Sequence, residues 1–266
     1  MKRLCVVFCV FLVCGCSSSR GKVADRTRKS QPKAKPVVSV EDSYKVAGRF
    51  DAVTAFRNPA DGRTKLAFGT DTGHLHIMNL GVAGPEIEWQ SPFLGSPVRG
   101  VLVRDFKGNG VTEILVYTVG GRMAIMEMRN YSVVRENAAF DTGQISCVVA
   151  EQLDDDPALE LLVCGDDRFL VYDAATLFKE WEATESIPGE WLAIGDADGD
   201  GRPDIVLNSG YVLDAQFFRV KNRLGRLGGR VELLDVDGDG VDEIIAERDD
   251  GSIAVYDARM AGVRDY

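Results

Sequence analysis

The chain has 266 residues, 45% hydrophobic and 27% charged, with a formal net charge of −10. That balance suits one ordinary globular body with a sizeable core. Its acidity argues against a nucleic-acid partner, whose phosphates would repel it.

The first segment, residues 1–15, reads as a leader. Lys2-Arg3 is a short basic start, and Leu4 to Cys14 is an apolar run too short to span a bilayer but suited to a secretory signal. The run ends in Val13-Cys14-Gly15-Cys16, followed by Ser17. This stretch resembles a bacterial lipobox, which implies cleavage before Cys16 and lipidation of that residue. Several acyl chains on one residue give the stable anchoring a single chain does not. A conventional signal peptide or a short anchor is the alternative. Ser17 rather than Asp after the cysteine resembles lipoproteins sorted to an outer membrane. The expected location is therefore a bacterial cell envelope, on an outer membrane and facing the periplasm or the surface.

Residues 16–40 read as a flexible tether. Arg20, Lys22, Arg26, Arg28, Lys29, Lys33 and Lys35 stand against Asp25, a net of +6, among Ser, Pro32 and Pro36. Such a segment beside a lipid anchor would lie against anionic head groups. The whole chain carries −10, the leader +2 and the tether +6, which leaves −18 on residues 41–266. Cys5, Cys9, Cys14 and Cys16 belong to the amino-terminal segment, so only Cys147 and Cys164 remain for the body. A turn near Asp155-Asp156 would set these two opposite each other, as a cross-strand disulfide or as buried thiols.

Self-similarity organises residues 41–266. Each unit has an apolar strand, a polar turn, a second apolar strand ending near Gly, and a third strand. The residue just before each second strand serves as marker: Lys65, Glu113, Glu160, Asp204 and Glu243, at spacings of 48, 47, 44 and 39. Third strands alternate as strands should, as in Gly121-Arg-Met-Ala-Ile-Met-Glu127 and Asp167-Arg-Phe-Leu-Val-Tyr-Asp173. Fourth strands are expected at Glu86–Gln90, Tyr131–Arg135, Phe178–Glu182 and Phe217–Val220. The period predicts an all-β body, a propeller of five four-stranded blades. The last unit stops at Asp257, so its outer strand is expected from Tyr44–Phe50, which would close the ring and cover an edge.

Two inter-strand turns carry the chemistry. Asp196-Ala-Asp198-Gly-Asp200-Gly201-Arg202-Pro-Asp204 and Asp235-Val-Asp237-Gly-Asp239-Gly240-Val241-Asp242-Glu243 each place acids at positions 1, 3, 5 and 9 and Gly at position 6. Converging carboxylates repel unless a cation sits among them, and hard oxygen donors on a Gly-kinked loop favour Ca²⁺. The expected ligand sets are Asp196, Asp198, Asp200, Arg202 and Asp204, and Asp235, Asp237, Asp239, Val241 and Glu243, for two calcium ions. An EF-hand needs an acid at position 12, where Leu207 and Ala246 stand. Solvated Asp/Gly turns without metal are the plain alternative. The equivalent loops elsewhere have decayed. Lys107 takes a ligand position in the second unit, Pro157 replaces the turn Gly in the third, and the first keeps only Asp61-Gly62. A weaker third site remains open over Gln152–Pro157.

These loops, joining two strands of a blade, resemble the FG-GAP (VCBS-type) repeats of integrin α-subunit propellers and their bacterial relatives. The resemblance implies a propeller with calcium at the loop residues named above, and it implies no ligand. Val171-Tyr-Asp173-Ala-Ala-Thr176, followed by Trp181, is similar to quinoprotein-like propeller repeats.

No catalytic constellation is visible. His74 and His76 alternate on one strand without a third ligand, and no Gly-x-Ser-x-Gly nucleophile elbow is present. Trp89, Trp181 and Trp191 sit where blades would pack. The expected function is a non-enzymatic protein-binding or envelope-assembly module, membrane-attached through its lipid. The alternatives are a carbohydrate binder or a glycosidase using two funnel carboxylates.

Overall fold

The computed structural model describes residues 49–265, apart from 82–83, 139–140 and 260–261. The proposed leader, Cys16, the basic tether and residues 44–48 lie outside the described residues. The described residues form five antiparallel sheets of four strands, each strand hydrogen-bonded to its neighbour in sequence.

The first sheet comprises β1 (Phe50–Arg57), β2 (Thr64–Thr70), β3 (Leu75–Gly81) and β4 (Gly84–Gln90). The second holds β5 (Val98–Arg104), β6 (Glu113–Thr118), β7 (Met123–Glu127) and β8 (Val133–Glu136). The third holds β9 (Cys147–Glu151), β10 (Glu160–Gly165), β11 (Arg168–Asp173) and β12 (Phe178–Glu182). In the fourth are β13 (Leu192–Gly195), β14 (Asp204–Leu207), β15 (Tyr211–Asp214) and β16 (Val220–Arg223). The fifth consists of β17 (Arg230–Leu234), β18 (Glu243–Glu247), β19 (Ile253–Asp257) and β20 (Gly262–Asp265).

Every second strand opens on its marker residue or one residue before it, so the repeat read from the sequence is the repeat of the fold. In β6, β10 and β14 every residue is buried. A strand covered on both faces has no polar side to alternate with, hence the continuous runs Ile-Leu-Val and Leu-Leu-Val.

Packing between sheets makes the core. Phe56, Ala67 and Ile77 of the first sheet meet Val101, Ile114 and Met126 of the second. The second meets the third through Leu115, Tyr117 and Ile125 against Val148, Leu161 and Tyr172. Leu162, Cys164 and Phe169 then meet Ile205, Leu207 and Leu213. Val206 and Val212 meet Val231, Ile244 and Ala246. Among the described residues no such cluster joins the fifth sheet to the first. Val53 of β1, Leu234 of β17 and Ile253 of β19 are more than half exposed.

Two strand assignments differ from expectation. The outer position of the fifth sheet is filled by β20, paired Ala254↔Asp265 to Asp257↔Gly262, rather than by a strand from the amino-terminal side. A hairpin from the residues after Asp257 closes a far shorter loop than a strand returning from the other end of the chain. In the fourth sheet the outer strand starts at Val220, because Phe217 and Phe218 belong to the preceding turn. There the Phe217 amide donates to Asp214 Oδ1, and Phe218 takes a left-handed φ of 56°.

Cys147 and Cys164 face each other in register across β9 and β10, and both are buried free thiols. Burial pushes the Cys147 thiol up to about 11. Trp89 packs against Tyr131 and Trp181 against Phe169 and Phe218, as blade-packing residues should. His74 and His76 adjoin with ring centroids 6.4 Å apart. His76 stacks on Phe68 at 5.0 Å, and among the described residues no acidic or sulfur ligand joins the pair.

The seam between the third and fourth sheets sets the first prediction. Leu162 is fully buried there. Leu162→Ala should destabilise the chain by about 2–5 kcal/mol, read as a lowered denaturant midpoint.

Candidate metal centre

The turn between first and second strands is built in the same way in several sheets. Position 1 of each acidic loop is a carboxylate that accepts amides from further round the turn. Asp196 Oδ1 accepts from Gly199 and Asp200 at 2.8 and 3.1 Å, and its Oδ2 from Gly201 at 2.9 Å. Asp235 does the same with Gly238 and Gly240, and Asp105 with Lys107, Asn109 and Gly110. The glycines at positions 4 and 6, Gly199 and Gly201, have φ of 78°, which a side chain tolerates poorly. In the third sheet Gln152 stands at position 1. Its amide group donates to the carbonyls of Asp154 and Asp156, so the turn is held by the opposite hydrogen-bond sense.

Three acidic groups result: Asp196, Asp198 and Asp204; Asp235, Asp237 and Asp239; and Asp154, Asp156 and Glu160. Within each group, one ligand atom per residue lies within 4.8 Å of the others. These clusters can hold a cation.

Sequence-equivalent residues are not used equivalently. Asp200 lies outside the first group and Glu243 outside the second. Glu243 Oε2 turns back to accept from the Val236 amide at 2.9 Å, as Glu160 Oε2 does from Leu153 at 2.6 Å. Asp204 and Glu160 stay in their clusters. The amides of Arg202 and Val241 close the turn by donating to Asp200 and Asp239. The two loops also hold each other. The Asp196 amide donates to Asp242 Oδ2, and the Asp242 amide to the Asp196 carbonyl, both at 2.9 Å.

Position 9 is the common thread. Lys65, Glu113, Glu160, Asp204 and Glu243 are all buried, although each is ionisable. A buried charge is costly unless paired. Burial works against the Lys65 ammonium, but Asp61 and Glu88, both at 2.7 Å, and the Tyr131 hydroxyl at 3.0 Å outweigh it and raise its pKa. Glu113 pairs with Arg135 at 2.6 Å and Lys107 at 3.4 Å. Asp204 Oδ1 meets the Lys221 ammonium at 3.0 Å. Burial raises the Asp204 pKa while Lys221 opposes that shift. Its second oxygen, Oδ2, is buried and without a hydrogen-bond partner. Arg259 bridges Asp239 and Asp257 in the fifth sheet.

Glu88, Arg135 and Lys221 escaped the sequence reading, because they come from the fourth strand. In the first and fourth sheets the partner sits at a β-bulge: Glu88 and Lys221 are the extra residues skipped in the pairing with the third strand, the place that Glu180 takes in the third sheet. A signal was nevertheless present. The residues Glu88, Arg135 and Lys221 carry the charge opposite to Lys65, Glu113 and Asp204 in the same repeats.

No protein-family model matches the sequence, and no curated protein does. Solved structures do resemble the fold. Sqt1 of Saccharomyces cerevisiae superposes with a TM-score of 0.59 at 12% identity, over 79% of this chain and 60% of that one. The computationally designed Ika8 protein gives 0.57 at 12%, over 82% and 61%. The chain is a β-propeller. It spans about three-fifths of the length of each of these propellers.

The third sheet departs furthest from charge pairing. Its bulge residue is Glu180, so Glu160 has Asp154 and Asp156 nearby and no cation in the group. Burial, helped by those two carboxylates, pushes Glu160 up to about 7 from its ordinary 4.5, against the Leu153 hydrogen bond. The folded chain thus binds more protons than the unfolded chain between these values, and stability falls as pH rises through that window. The melting temperature should fall between about pH 5 and about pH 8, and Glu160→Gln should flatten that part of the profile.

Proposed function

We propose that this chain is a lipid-anchored, calcium-stabilised β-propeller that serves as a protein-binding or envelope-assembly module in a bacterial cell envelope. The observation that carries the calcium reading is Asp204. It is wholly buried, belongs to a three-carboxylate group and keeps one oxygen without a hydrogen-bond partner. A hard divalent cation that gathers several oxygens would satisfy that atom. The FG-GAP-like spacing of the two loops supports the same reading, and Asp196, Asp198 and Asp204 with Asp235, Asp237 and Asp239 are the residues that would hold the ions. Bound calcium supplies positive charge that relieves carboxylate repulsion and pins the turn between two strands. Its role is structural.

The binding-module part rests on the scaffold and its surface. A propeller offers many loops and edges on a rigid frame, and binding residues favour such loops. Phe93, Phe178 and Phe217 are more than half exposed, a pattern suited to contact with another protein. The lipobox-like Val13-Cys14-Gly15-Cys16 supports attachment through Cys16. Affinity capture of the crosslinked, membrane-attached full chain tests this part. Reproducible recovery of one envelope protein supports it. Binding on a glycan array with no protein recovered would replace it with a carbohydrate-binding role.

Thermal melting tests the metal. Extracellular calcium modules bind at roughly 10⁻⁴–10⁻³ M, so about 10 mM Ca²⁺ should stabilise a site by about 1.4–2.7 kcal/mol. The melting temperature should rise on adding CaCl₂ and return with EGTA. Asp198→Ala combined with Asp237→Ala should abolish the response, and a wild-type chain indifferent to both additions would overturn the metal assignment.

A further inference from the structure

The two acidic loops match in sequence but differ in what already occupies them. In the fourth sheet, Lys221 Nζ lies 2.5 Å from Asp198, 3.1 Å from Asp200 and 3.0 Å from Asp204. An ammonium has three protons to donate, and here all three have a carboxylate in reach. Lys221 is thus fully engaged, and Asp204 Oδ2 is the atom left over. The placement is a product of the fold. Lys221 is the bulge residue between Val220 and Asn222, which pair with Leu213 and Val212, and the bulge turns its side chain toward the loop.

The fifth sheet holds its cation differently. Arg259 touches one loop carboxylate, Asp239, at 3.0 Å. Its Nε and Nη2 also bind Asp257, at 2.9 and 3.0 Å, and this fastens the guanidinium outside the group. Among the described residues no cation reaches Asp235 or Asp237. A divalent ion entering this loop would share one carboxylate, Asp239, with Arg259, against three shared with Lys221 in the fourth sheet.

We infer that Lys221 is a built-in counter-ion that a divalent cation must displace from the fourth loop, so that the fifth loop fills first and the fourth fills only as Lys221 leaves. This rests on the calcium reading above and adds an order of filling and a responding element. The exchange is physically balanced. One positive charge shared by three carboxylates gives way to a doubly charged ion able to take 6–8 oxygens, Asp204 Oδ2 among them. Losing the ammonium's hydrogen bonds offsets part of that gain, which lowers the apparent affinity of the fourth loop alone. The displaced side chain belongs to β16, the outer strand, so calcium would alter the charge presented at that edge.

Lysine footprinting of the wild-type full chain reads the displacement directly. With EGTA, Lys221 should resist an amine-acetylating reagent, and saturating CaCl₂ should raise its labelling several-fold over surface lysines. Calorimetric titration with CaCl₂ reads the affinity. In an Asp237→Ala background, which removes the fifth loop, Lys221→Met should tighten calcium binding by about tenfold or more, whereas Lys221→Arg should not. Labelling of Lys221 unchanged by calcium, or equal affinity with and without Lys221→Met, would overturn the inference while leaving calcium binding intact. Absence of calcium heat in the wild type and in both Lys221 variants would instead remove the calcium reading on which it stands.

Discussion

An ionisable side chain buried at the opening of every second strand is the constraint around which these five sheets are arranged. Lys65, Glu113, Glu160, Asp204 and Glu243 occupy one structural position, and each needs a partner in a place that excludes water. The loop supplies one side of the answer and the outer strand, in the first, second and fourth sheets, supplies the other. The first sheet inverts the arrangement, with a lysine inside and acids around it. The second uses arginine and lysine on a glutamate, and the fourth sets a lysine against three aspartates. In these three sheets the sign of the buried charge changes while its compensation is kept.

A cation held by the acidic groups of the fourth and fifth loops would be one further way of meeting that requirement. The second loop shows that the turn does not require a metal to form. Asp105 gathers the amides of Lys107, Asn109 and Gly110 just as Asp196 and Asp235 gather theirs. Geometry therefore comes from position 1 and the two glycines. Cation capacity in the fourth and fifth loops needs, beside position 1, the acids at position 3 and at position 9 or 5. These two properties have separated in the second loop, where Lys107 and Asn109 replaced acids without loss of the turn.

Much of the fold was legible because burial on both faces leaves a conspicuous mark. The runs beginning at Glu113, Glu160 and Asp204 are continuous and apolar, and their spacing revealed the repeat. The acidic turns were legible too, since Asp and Gly at fixed positions have few other uses. What escaped lies on the outer strands. Val220–Arg223 was displaced from its expected position by a turn that accommodates Phe218 with a positive φ, which propensity does not forecast. Glu88 and Lys221 acquire their partners through a bulge, and an extra residue in a pairing register leaves no trace in composition. The outer strand of the fifth sheet was sought at the wrong end of the chain, because four residues after a tight turn carry too little pattern to announce a strand.

The way the apolar residues are shared has a consequence for dissecting the molecule. Each cluster draws on two consecutive sheets: Leu162 and Phe169 of the third are completed by Ile205 and Leu213 of the fourth. A single four-stranded unit therefore owns only half of each of its own interiors. Cutting the chain at a boundary between units would strip the cover from a whole layer and leave an insoluble surface behind. A break inside a surface turn would leave every seam shut. The smallest portion able to stand by itself is set by seams, and useful fragments of this chain should be chosen to open as few of them as possible.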